Sequence, residues 1–179
     1  VMCTLFPTIN AQYEILADDA TPLGQRLGIL GKSKVPFIVT GMQLCPENER
    51  RLVVFGRSEV RVLLLNPSHS GIVLHLDLDF VKANEDTRDC ILHCHWLAGS
   101  QSQLCVCSSK IIRFYDVSIG KQKSMPLKEY VLGSKNTLRS SCLAPRGEMS
   151  SRLFLQLENG RLHFIDLKLS QGKVEWPGY

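Results

Sequence analysis

The chain has 179 residues, 44% hydrophobic and 21% charged, the balance of an ordinary globular protein long enough for a core of its own. Its formal net charge is only +4, and its basic residues are scattered in pairs (Lys32 and Lys34, Arg50 and Arg51, Lys121 and Lys123). That pattern argues against nucleic acid, whose binders gather Lys and Arg on one face, and no apolar run reaches the roughly 20 residues that would cross a bilayer.

Residues 1–34 read as the end of a preceding sheet module followed by a connector, with the glycines concentrated at 23–31. That stretch lacks the Lys-Ser/Thr ending of a phosphate loop. From residue 35 the chain repeats itself. Three segments, Arg61-Val62-Leu63-Leu64-Leu65-Asn66, Ile111-Ile112-Arg113-Phe114-Tyr115-Asp116 and Arg161-Leu162-His163-Phe164-Ile165-Asp166, start 50 residues apart. Each has apolar residues at its second, fourth and fifth places and ends on Asn or Asp. A second apolar run precedes each: 52–55, 104–107 and 153–155. The turns between are Gly56-Arg57-Ser58-Glu59, Ser108-Ser109-Lys110 and Glu158-Asn159-Gly160, short enough for hairpins.

A further strand is expected upstream in every unit, at 36–44, 90–97 and 138–143, and another downstream, at 72–78, 125–132 and 172–176. Four strands per unit at this period are the signature of propeller blades, and helical periodicity is poor throughout. The expected fold is therefore all-β: a partial WD40-like β-propeller of about three four-stranded blades, at 35–83, 84–133 and 134–179. Three blades cannot close a ring that typically needs about four to eight. The chain begins with Val and stops at Trp176-Pro177-Gly178-Tyr179, so both ends read as cuts from a longer polypeptide.

Seven cysteines, an odd number, sit mostly inside apolar runs, as reduced thiols packed as small hydrophobes would. Cys90, His93, Cys94 and His95, with Cys105 and Cys107 nearby, form the densest group of metal-capable residues. Strand alternation separates them: Cys90 and Cys94 on one face, His93 and His95 on the other. Core thiols beside a pair of imidazoles are expected there, with no metal site. No nucleophile elbow or H-E-x-x-H pattern is present, and no catalytic or cofactor-binding residue is assigned. Trp96 is expected to pack between blades. Asp116 and Asp166 follow apolar strand residues, as the Asp of a Trp-Asp dipeptide does, and are expected to accept hydrogen bonds in tight turns. Arg57 and Arg61 flank a hairpin and form a candidate interaction rim.

Two stretches carry a family resemblance. Val35-Pro36-Phe37-Ile38-Val39 leads through a Cys-Pro loop to Arg51-Leu52-Val53-Val54-Phe55-Gly56. Later, His95-Trp96-Leu97-Ala98-Gly99-Ser100-Gln101-Ser102-Gln103-Leu104 is followed by Ile112-Arg113-Phe114-Tyr115-Asp116-Val117. Together they resemble the propeller segment of the giant UBR-box E3 ubiquitin ligases, the calossin/pushover family with its plant BIG relatives. The resemblance spans about residues 35–133.

It implies a very large cytoplasmic parent of the N-degron pathway, also linked to nuclear or membrane-proximal sites. Such a parent acts as an N-recognin and works with an E2 and substrates. It is linked to calmodulin as well, and its zinc lies in modules other than this one. The implied role of the segment is a non-catalytic scaffold contacting other parts of the ligase. Architecture alone equally allows an adaptor propeller in a trafficking or nuclear assembly.

Overall fold

The computed structural model describes residues 12–17, 28–68, 71–78, 80, 89–118, 125–133, 135–144 and 152–167. These form thirteen strands and no helix. Two of them, β1 (Gln12–Ala17) and β2 (Gly28–Lys34), pair as an antiparallel ribbon. The glycine-rich stretch expected as a connector is thus strand from Gly28 onward. Glycine lowers strand propensity without forbidding pairing, and here the partner strand overrides it.

The remaining strands form three antiparallel meanders. The first sheet contains β3 (Gly41–Cys45), β4 (Asn48–Phe55), β5 (Val60–Leu65) and β6 (Ile72–Leu78). The second contains β7 (Ile91–Trp96), β8 (Gln103–Ser108), β9 (Ile111–Asp116) and β10 (Lys128–Val131). The third contains β11 (Leu138–Leu143), β12 (Arg152–Leu157) and β13 (Leu162–Asp166). The fourth strand expected at 172–176 lies outside the described residues, as does Trp176. The first strand of the first sheet begins at Gly41 rather than at residue 36. Pro36 lacks the N–H that a ladder needs. Gly41 is required where it stands, because the Phe55 ring occupies the space a Cβ would take.

The middle strands β4, β5, β8 and β9 carry long apolar runs because both their faces are buried. In β4, Leu52 and Val54 point into one cluster with Val35 and Leu63, while Val53 and Phe55 point into another. That second cluster is shared with the second sheet, which contributes Cys94, Trp96, Leu104, Val106 and Tyr115. The opposite face of the second sheet presents Cys105, Cys107, Ile112 and Phe114 to Leu138, Leu153, Leu155, Leu157 and Ile165 of the third. The three sheets therefore stack face on face in chain order. Their first strands lie side by side, β7 against both β3 and β11. This is an arc of consecutive propeller blades.

Candidate functional site

The polar groups that distinguish this arc lie along its seams. At the first seam, the buried Trp96 indole Nε1–H donates to the Gln43 carbonyl oxygen at 3.0 Å. The guanidinium of Arg51, buried on β4, donates to the Gln101 carbonyl in the loop between β7 and β8. Backbone closes the same seam, with Ile91 N–H donating to Arg57 O at 2.8 Å.

The second seam repeats that latch, with Leu138 N–H donating to Ser109 O at 2.8 Å. Lys110 Nζ reaches across to Thr137 Oγ1 at 2.9 Å. His95 Nε2 lies 2.9 Å from Ser141 Oγ, and His93 Nε2 lies 3.4 Å from Ser140 Oγ. The two imidazoles stack with centroids 5.8 Å apart.

Burial holds His95 neutral and pushes its pKa down from 6.5 to about 4, with His93 adding to the effect. The unfolded chain takes up that proton below pH 6.5 and the folded chain does not. Stability is therefore full above pH 6.5 and falls as pH drops toward 4, by at most about 3 kcal/mol. His93, also lowered by burial, adds loss of the same sign. Denaturant midpoints measured from pH 7 to 4.5 are expected to fall, and His95→Gln is expected to flatten that slope.

Under the hairpin between β8 and β9 sits Asp89, a buried acid. Its Oδ1 accepts from Ser109 Oγ at 2.7 Å and Lys110 N–H at 3.2 Å, and its Oδ2 from Ser108 Oγ at 3.1 Å. Sequence reasoning passed over Asp89 and Arg51. Charged residues beside turns ordinarily read as solvated; Arg51 is drawn to a carbonyl of the second sheet, and Asp89 is enclosed by the β8–β9 hairpin of its own.

The residues singled out from sequence fall in different places. Trp96 is 1% exposed at the centre of the first seam. Asp116 Oδ1 accepts from Ser118 N–H at 3.0 Å in the turn after β9. Asp166 pairs in register with Arg152 across β12 and β13, its Oδ2 3.9 Å from Arg152 Nε.

Arg57 is exposed, and its carbonyl serves the seam. Arg61 is held by Asp77 on β6, Nη2 donating to Oδ2 at 2.8 Å alongside a second contact from Nε. That pairing keeps the Asp77 carboxyl below its ordinary range. Arg61→Ala is expected to lower stability by less than about 1 kcal/mol, because the pair is water-exposed at Asp77. Thermal melts of the variant check this.

Cys94 packs into the first seam while His93 and His95 lie on the opposite face, as strand alternation predicts, sharing that face with Cys107 and Cys105, their partners across the strand pair; Cys90 precedes β7. A register irregularity between Ile91 and His93 separates Cys90 from the alternation of the rest. Burial pushes the Cys94 and Cys105 thiols well above their ordinary pKa, so they pack as neutral apolar groups. Among the described residues, no three His, Cys, Asp or Glu side chains converge to hold a metal ion.

No protein-family model matches the chain. It is 30% identical over 136 residues to a probable E3 ubiquitin-protein ligase of Dictyostelium discoideum. That match covers 75% of this chain and 2% of the ligase, so the chain spans about one-fiftieth of the length of that curated relative.

Among solved structures, it is similar to the Cps50 (Swd1) β-propeller domain of Myceliophteria thermophila. The TM-score is 0.58 at 13% identity, over 82% of this chain and 45% of that one. It is also similar to a chain of the Chaetomium thermophilum Nup82 NTD–Nup159 TAIL–Nup145N APD complex, with TM-score 0.60 and 15% identity over 74% of this chain and 33% of that one. Raptor from the same organism gives TM-score 0.51 and 20% identity, over 75% of this chain and 11% of its own. At such identities the likeness concerns architecture alone. Repeat, topology and structural likeness agree: this chain is an arc of a WD40-like β-propeller.

Proposed function

We propose that this arc is a non-catalytic scaffold within a giant E3 ubiquitin ligase of the calossin/pushover kind, an N-recognin of the N-degron pathway. The observation that carries the proposal is the 30% identity to a probable E3 ubiquitin-protein ligase over 136 residues. The architecture fits such a role. Seams closed by Trp96, Arg51 and the His–Ser pairs make a rigid body, and a rigid body can hold substrate-recognition and E2-binding modules at fixed separation. Its partners would be other modules of the parent and, through them, substrates, an E2 and calmodulin, in the cytoplasm. The adaptor alternative draws only on architecture, which propellers of many functions share.

The test is deletion of residues 35–167 from the full-length parent. Recovery of ubiquitin-pathway partners by affinity purification is expected to fall sharply, with the remaining modules still folded. Unchanged recovery would remove the scaffold role.

A further inference from the structure

Arg51 is a buried cation for which the fold supplies no counter-charge. It stands on β4, 8% exposed, on the face turned toward the second sheet. Its Nη1 donates to the Gln101 carbonyl, and among the described residues no carboxylate lies within ion-pair distance of the guanidinium. Arg113 on β9 is buried as deeply, at 5%, and is treated differently. Glu129 holds its Nε at 2.6 Å, and the Phe80 ring lies 4.8 Å from its Cζ. Arg61 and Arg152 likewise meet Asp77 and Asp166. Enclosing a charge is costly unless an opposite charge repays it.

The architecture does not require a charge at this place. The 50-residue register sets the Arg51–Leu64 rung of the first sheet against Cys105–Phe114 in the second and Phe154–Phe164 in the third. Both of those rungs are apolar. The first rung also continues outward, because Leu64 pairs with Leu74 on β6, so Arg51, Leu64 and Leu74 line one face across three strands. Exposure rises along that row, from the buried arginine through the half-buried Leu64 to Leu74 at 51%. The row thus runs from open apolar surface at the sheet edge to an unneutralised guanidinium.

We infer that this row is a docking site for an extended segment of a partner protein that carries a carboxylate side chain and, two residues on, an apolar one. The carboxylate answers the guanidinium. Nη1 is committed to Gln101, which leaves the edge formed by Nε and Nη2 for two carboxylate oxygens. A phosphate dianion would bring a second negative charge, and no second described cation stands on the rung. Arg50, the next residue along, faces the other way, its Nε donating to the Leu65 carbonyl at 2.9 Å.

Spacing sets the motif. Neighbouring strands lie about 4.8 Å apart, which puts Leu64 and Leu74 about 5 and about 10 Å outward from Arg51. Side chains two residues apart on an extended segment are separated by about 6.6 Å, so an apolar residue two places after the acid rests between the two leucines. Glutamate has the reach to meet a buried guanidinium, where aspartate is one methylene shorter. The docking row draws on the first seam alone and is independent of the ubiquitin assignment.

Fluorescence anisotropy with the full-length parent tests it. The probes are five fluorescein-labelled peptides in a Gly/Ser background, each with one glutamate two residues before Leu, Ile, Val, Met or Phe. At least one is expected to bind, and exchanging its glutamate for glutamine is expected to weaken binding at least about tenfold. Leu74→Asp, at the open end of the row, is expected to weaken the glutamate peptide at least about fivefold with the thermal melt unchanged. Arg51→Gln is expected to erase the difference between the glutamate and glutamine peptides, and the peptide exchange carries the test even where that variant fails to fold. No binding by any of the five, or equal binding of the glutamate and glutamine forms, would overturn the inference. Binding that survives Leu74→Asp unchanged would put the peptide elsewhere and overturn it too. Binding of inorganic phosphate, read by calorimetry, with all five peptides inert would give the cation to a free anion and overturn it as well.

Discussion

Trp96→Ala is expected to cost about 3–5 kcal/mol, the loss seen when a large aromatic is deleted from a packed core. The indole is 1% exposed and sits among residues of two different sheets, including Cys45, Val53 and Phe55 of the first and Leu104, Val106 and Tyr115 of the second. Its removal leaves a cavity in the seam and strips the Gln43 carbonyl of its donor. Domains of this size have total stabilities of about 5–15 kcal/mol, so the substitution brings the arc close to unfolding. Trp96→Phe separates the contributions. It keeps most of the burial and loses the hydrogen bond, at a cost of about 1–2 kcal/mol. Equilibrium denaturation read by far-ultraviolet circular dichroism measures both. An Ala variant within about 1 kcal/mol of the parent would mean that the sheets are not joined through this ring.

Asp89→Ala is expected to be nearly as damaging, at about 4 kcal/mol, for a different physical reason. The carboxyl group satisfies Ser108, Ser109 and the Lys110 N–H beneath one hairpin, and both serines are buried. Alanine leaves the buried Ser109 Oγ without its acceptor and forces Ser108 Oγ and the Lys110 N–H onto their remaining acceptors, Ile111 O at 3.1 Å and Ser108 Oγ at 3.3 Å. An orphaned buried group costs more than the bond was worth. The Ser109 carbonyl also forms the backbone latch to Leu138, so loosening the hairpin weakens the second seam. Asp89→Asn retains an acceptor oxygen and is expected to cost roughly half as much. Hydrogen exchange at Leu138 and Ile111 distinguishes this route from simple loss of charge. Both amides are expected to lose protection in Asp89→Ala and to keep most of it in Asp89→Asn.

The strands were legible wherever both sheet faces are apolar, as in 52–55, 104–107 and 153–155. There period-two burial on two sides leaves a short β-rich run that turns bound clearly. Hairpin turns were legible from composition, and Gly160, at φ 82°, supplies the left-handed backbone that the 158–160 turn needs. The start of β3 was not, because Phe37 and Val39 look like strand residues and instead pack over the first sheet as an extended cover. β10 runs only from Lys128 to Val131, shorter than the apolar stretch at 125–132 suggested, with Met125 and Leu127 left exposed.

The seam groups were the least legible. Arg51 and the His–Ser pairs are set by what the neighbouring sheet offers, 46 to 50 residues away in sequence, and Asp89 by the β8–β9 hairpin of its own sheet, 19 to 21 residues on; no local pattern encodes either. Arg61 looked like a rim residue from its hairpin position. Its partner, Asp77, comes from the next strand and becomes visible only when β5 and β6 are placed in register.

A single-particle reconstruction of the intact parent, at a resolution that separates strands, tests the central claim most directly. Residues 41–166 should appear as three adjacent blades in chain order, with β3, β7 and β11 innermost and Trp96 enclosed between the first two. Density showing these sheets apart from one another, or stacked in another order, would contradict it.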